Sequence, residues 1–187
     1  MNGLSDRAKE LIPQAQIVSF EGWDIVGEDA IARLQSADTE KQYLTDADLS
    51  AISLSSNTIA VVKQLKAQAS EIVDEARAGV LQTFPGILEP GGGLYPAARA
   101  DACWRDFWHF LRCITYGIAG ENSQFTSADG LVAMEQLYEE LQVPLPAMVK
   151  GLEGIKEASL SRFDDQTQTA ISPYFDHLIG RMASFLK

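Results

Sequence analysis

Apolar residues recur at intervals of three and four through most of this sequence, and no segment alternates for a strand's length between hairpin turns. That period points to an all-α fold. The 187 residues suit one compact domain with a short appendage. Residues 1–28 read as the appendage. An amphipathic start leads to Ile12 and Pro13, then to an apolar segment of Ile17, Val18, Phe20, Trp23, Ile25 and Val26 broken by Gly22 and Gly27. The domain proper is expected over 29–187. Its spacing predicts a short helix over 29–42 and a start behind Thr45, where Asp46 and Asp48 complement the helix dipole. A long helix over 48–83 with one break near Ser55 follows. Residues 84–95, rich in Pro and Gly, are expected to be a loop. Further helices are predicted over 96–119, from Thr126 or Ser127 to Leu141, over 146–160, and over 173–186 with Ser172 as its cap.

Charge narrows the partners. The formal net charge of -11 opposes both a phosphate backbone and an anionic membrane surface, so neither nucleic acid nor membrane insertion is expected. No run approaches the roughly 20 apolar residues of a membrane span, and the first residues lack the basic-then-apolar order of a signal peptide, which makes a cytoplasmic location the expectation. Cys103 and Cys113 lie ten residues apart within one predicted helix, hence about 15 Å apart, too far for a disulfide. With two histidines and no C-x-x-C or H-E-x-x-H spacing, no metal site is expected.

The helix over 96–119 carries the densest chemistry. Arg99, Cys103, Asp106, Phe107 and Phe110 share one broad face, which gathers a cation, a thiol, a carboxylate and aromatics. Periodicity alone allows a plain reading, in which Cys103 is a small core residue and Asp106 pairs with Arg99 or Arg105. Cys113 reads as a buried apolar residue. His109 lies about 240° around the helix from Cys103, so it is expected off that face as a satisfied or exposed side chain, and His177 reads as a helix-surface residue.

Cys103-Trp104-Arg105-Asp106, followed by Leu111-Arg112 and Thr115-Tyr116-Gly117-Ile118, resembles the chromophore helix of the phycobiliproteins, in which C-x-R-D precedes L-R-x-x-T-Y-G. Pro90-Gly91-Gly92 with Tyr95 resembles the loop before that helix. Ala37-Asp38 with Tyr43-Leu44 and Leu49 resembles the family's first helices, and Tyr174-Phe175-Asp176 with Ile179-Gly180 and Met182 resembles the last helix of allophycocyanin-like members. The likeness spans about Asp29 to the end. It departs at Trp108, His109 and Phe110, where the family has an acidic or small residue and two tyrosines, and at Gly93, where the family has asparagine. Divergent relatives called bilin-biosynthesis-associated globins show a similar mixture.

The resemblance implies a globin-like helical bundle holding a bilin, a linear tetrapyrrole of the phycocyanobilin or biliverdin type, and no enzymatic turnover. It implies Cys103 as the thioether attachment point, Asp106 as acceptor for the N–H groups of the two central rings, and Arg105 as partner of a propionate. Arg99 is the candidate for the second propionate, and Phe107, Phe110 and Tyr116 are the candidate walls. Implied partners are phycobiliprotein-like subunits, linker proteins or bilin-synthesis enzymes, with a homo-oligomer also compatible. Those partners would associate the protein with the cytoplasmic face of thylakoid membranes. The alternatives are a reversible bilin carrier, a haem-binding globin through His109 or His177, and a pigment-free scaffold.

Overall fold

Side-chain caps set most of the helix starts in the computed structural model, which describes residues 4–23, 28–52 and 54–186. Among the described residues the helices are α1 Asp6–Leu11, α2 Glu28–Thr39, α3 Asp46–Ala51, α4 Ser56–Ala67, α5 Ala69–Thr83, α6 Ala97–Ala119, α7 Ala128–Glu140, α8 Leu145–Leu160 and α9 Asp165–Ala183. Ser5, Thr45, Ser55, Ser127 and Asp164 each accept a hydrogen bond from a first-turn amide, and Thr45 forms a reciprocal capping box with Asp48.

Two predicted elements are corrected. The helix expected over 48–83 breaks near Ser55, as its spacing suggests, and again at Gln68, whose backbone leaves the helical region and which carries no side-chain cap bond. The last helix begins at Asp165 behind the Asp164 cap instead of at Pro173, and Pro173 sits inside it. Proline removes one i to i−4 hydrogen bond without ending a helix that is packed on its neighbours. Ser172 is no cap; its hydroxyl bonds Asp176 Oδ2 at 3.0 Å along the helix surface.

The core forms where α6 lies among its neighbours. It packs against α4, α5, α8 and α9, while α5 lies along α8 and α8 along α9. Phe107, Phe110, Leu111, Ile114 and Tyr116 are almost wholly buried. The approach of α6 to α8 is close because Gly151 has no side chain: a Cβ there would overlap the Phe107 ring.

The amino-terminal segment folds back on the body. Ala8 and Leu11 of α1 pack with Ala133 and Leu137 of α7 as a small apolar cluster of their own. Val18 forms an antiparallel bridge with Thr126, the Ser127 amide donates to Ile17 O at 2.8 Å, and the Ser19 amide donates to Phe125 O at 3.0 Å. Val18 and Trp23 belong to the main core. Ile25, Val26 and Gly27 lie outside the described residues.

Candidate functional site

Helix α6 positions the chemistry. Between Pro96 and Gly117 its sequence holds neither proline nor glycine, so 20 consecutive residues favour an unbroken helix. Its middle forms one wall of a cavity of about 320 Å³, with Arg105, Asp106, His109, Phe110, Arg112 and Cys113 on that side. Met134, Leu137 and Tyr138 of α7 form a second wall; Ile12, Ala15, Gln16 and Ile17 form a third, and Asp38 and Lys41 close one end. A larger hollow of about 490 Å³ lies by the glycine-rich loop, lined by Thr83, Phe84, Ile87, Pro144 and neighbours. It has no charged lining residue. The 320 Å³ cavity, with acids, cations and an imidazole among apolar groups, is the better binding site.

Asp106 is the pivotal group. It is partly buried, lies 3.8 Å from Arg105 Nη2, and has the Tyr138 hydroxyl of α7 close enough to favour its charged form. Burial pushes its carboxyl up to about 6, against the opposing pull of Arg105 and Tyr138. A carboxyl whose folded pKa is raised costs stability once it ionises. Stability therefore falls as pH climbs from near 4 through about 6. Asp106→Asn in pigment-free protein is expected to raise Tm at pH 7 by roughly 2–4 °C, about 1 kcal/mol after discounting for partial exposure. The gain should vanish at pH 4, and melting at the two pH values checks it.

Cys103 lies one turn before Asp106, buried, with its thiol donating to Met148 Sδ of α8 at 3.2 Å. Burial, reinforced by the Asp106 charge, pushes the thiol up to about 12. It is not part of the cavity lining, but Tyr138, which is, feels the charges of both Asp106 and Cys103.

Arg105 and Phe110 also line the cavity, Arg105 largely exposed and Phe110 buried. The remaining three candidates lie elsewhere. Arg99 is committed to two carbonyls, Gly93 O at 3.1 Å through Nε and Gln142 O at 2.7 Å through Nη2. Phe107 faces Gly151 and stands edge-on to Trp104. Tyr116 donates to the Gln42 carbonyl and accepts from Arg112 Nη1 at 2.6 Å, some ten residues along the helix from Asp106, or about 15 Å.

His109 is neither satisfied nor exposed as expected, while His177 is half-buried on its helix. His109 lines the cavity with a buried Nδ1 that has no hydrogen-bond partner among the described residues, and burial together with Arg112, Arg105 and Lys41 pulls its pKa down to about 4. It is a neutral imidazole with one unfilled position. His177 Nε2 bonds Thr126 Oγ1 at 2.8 Å beside the Phe125 ring. Cys113 is buried, as its pattern predicts. Sequence reasoning passed over Tyr138. Its helical spacing with Leu131 and Met134 marks an inward face, but its reach to Asp106 depends on how α7 crosses α6.

A sequence profile of the family described as Phycobilisome protein matches residues 32–182. Among similar proteins, allophycocyanin subunit alpha-B of Nostoc sp. is 32% identical over 151 residues, which cover 79% of this chain and 94% of that one. The allophycocyanin alpha-B chain of Cyanophora paradoxa is 29% identical over 81% of this chain and 96% of its own length. Allophycocyanin subunit alpha-B of Synechocystis sp. is 30% identical over 79% and 94%.

Proposed function

Because the chain belongs to the phycobilisome protein family, with the all-α globin-like fold of that family, we propose that it is a bilin-binding, light-harvesting protein that holds phycocyanobilin or a similar linear tetrapyrrole beside Asp106. The observation that carries this reading is a partly buried carboxylate on the wall of a cavity, one helical turn from a buried thiol. The donor set suits such a pigment. The Asp106 carboxylate can accept pyrrole N–H groups, the exposed Arg105 guanidinium suits a propionate, and the unpartnered His109 Nδ1 offers a further polar contact. When bound, the pigment supplies visible absorption and an excited state to pass on.

Cys103 would hold it through a thioether. The Sγ–H bond breaks, a sulfur–carbon bond forms at an exocyclic double bond, and the proton passes to the adjacent carbon, so no oxidant is needed. A thiol at about 12 is almost wholly protonated near neutrality. Unassisted attachment from added phycocyanobilin is therefore expected to accelerate about tenfold per pH unit between roughly pH 7 and 9, because the thiolate is the nucleophile. Zinc-stained pigment on the denatured chain measures it; a flat profile would remove Cys103 as the attacking group.

The contact of the thiol with Met148, away from the cavity lining, favours a second reading in which pigment is held reversibly and handed on. Either role is one of binding, without turnover. The pigment-holding unit is residues 29–187 with 1–28 as its extension, and the partners are phycobiliprotein-like subunits at the cytoplasmic face of thylakoids. No helix among the described residues is long and apolar enough to cross a membrane.

A further inference from the structure

The cavity beside Asp106 is closed on one side by the chain itself, through Ile12, Ala15, Gln16 and Ile17. That segment is held in two unequal parts. Residues 17–19 join the 125–127 segment by main-chain hydrogen bonds, and Val18 and Trp23 enter the main core. Residues 5–16 have a lighter hold. Ala8 and Leu11 rest on Ala133 and Leu137 in a cluster separate from that core, and among the described residues polar contacts to α7 include Ser5 Oγ to Glu140 Oε1 at 2.6 Å and Arg7 Nη2 to Gln136 Oε1 at 2.9 Å, both exposed. A small satellite cluster with exposed bonds opens locally well below the cost of global unfolding.

Size gives that opening a purpose. Small-molecule pockets run from about 300 to 1,000 Å³, and this partly open cavity, at about 320 Å³, stands at the low end. Four linked rings with two propionates belong in the upper part of the range. We propose that residues 5–16 are a removable cover, which swings off α7 about the anchored residues 17–23 to admit a linear tetrapyrrole. The proposal rests on the tetrapyrrole reading of the site, and its test separates the two.

Two variants loosen the cover by different routes. Leu11→Asp puts a charge into the satellite cluster. Gly130→Ala sets a methyl group where the Gln16 carbonyl lies against α7, while alanine favours the helix itself. Thermal melting verifies that the body stays folded in both. Biliverdin is expected to associate about tenfold faster with each variant than with the parent, because a site open for a small fraction of the time binds in proportion to that fraction. Without pigment, iodoacetamide should alkylate Cys113, a cavity-lining thiol, correspondingly faster in both. Saturating the parent with biliverdin should speed trypsin cleavage after Arg7 and Lys9. Slower association in the variants, with pigment protecting Arg7 and Lys9, would make the segment a permanent wall and overturn the proposal. Unchanged Cys113 alkylation in both variants would overturn it without reference to pigment. Faster alkylation with no biliverdin bound by any form would keep the cover and reject the tetrapyrrole reading.

Discussion

Expressed together with enzymes that make phycocyanobilin, the parent chain is expected to keep its colour through acid urea, and Cys103→Ala to lose all of it on denaturation. The contrast is large because the two kinds of attachment respond differently to unfolding. The proposed contacts from Asp106, Arg105 and His109 depend on α6 staying folded against α7, whereas a thioether survives any change of conformation. Loss of one buried sulfur costs the fold little, about 1 kcal/mol on the scale of a small core truncation, so Cys103→Ala should still bind pigment natively. Absorbance before and after denaturation reads both properties. Pigment released from the parent by denaturant would favour the reversible carrier, and no pigment in either protein would reject both bilin readings.

The second large effect is expected at the far end of the cavity. Arg112 is 2% exposed, and its Nη1 pairs with Asp38 Oδ1 at 2.9 Å while also donating to the Tyr116 hydroxyl. Asp38→Ala would leave a buried guanidinium without its counter-ion, a change that costs about 3–5 kcal/mol. Asp38→Ala combined with Arg112→Met should recover much of that loss, since the stranded charge is then gone. Urea unfolding midpoints of the single and double variants measure both expectations. A loss below about 1 kcal/mol for Asp38→Ala would mean that Arg112 finds another partner or water.

Helix α6 was legible because its chemistry is local: Cys103, Arg105 and Asp106 stand within one turn, and no breaker interrupts the span before Gly117. What lay across helices was not. Asp38 and Arg112 each stood in a recognisable segment, yet their pairing spans 74 positions. The expectation for His109 failed for a related reason. A helical wheel correctly sets it away from Cys103, but the cavity wraps around α6 from α7 to residues 12–17, so one helix presents several directions to it. Arg99, Phe107 and Tyr116 show the converse. Their types suit a tetrapyrrole, but neighbouring carbonyls, Gly151 and Arg112 take their contacts. The start of α9 was missed because Ser172 and Pro173 together imitate a cap and a first turn, whereas packing on α8 carries the helix through the proline.

The seat of Phe107 over Gly151 works as an index between two helices. A ring lodged where α8 has no side chain resists both rotation of α6 about its axis and sliding along it, since either motion would drive the ring into α8. Asp106 is the next residue in the chain, so its azimuth is tied to the same key. Molecules in a population therefore differ little in where they present this carboxylate. For a pigment held beside Asp106 as proposed, that uniformity would narrow the spread of site energies from one molecule to the next, and Gly151, through Phe107, would be a determinant of spectral line width.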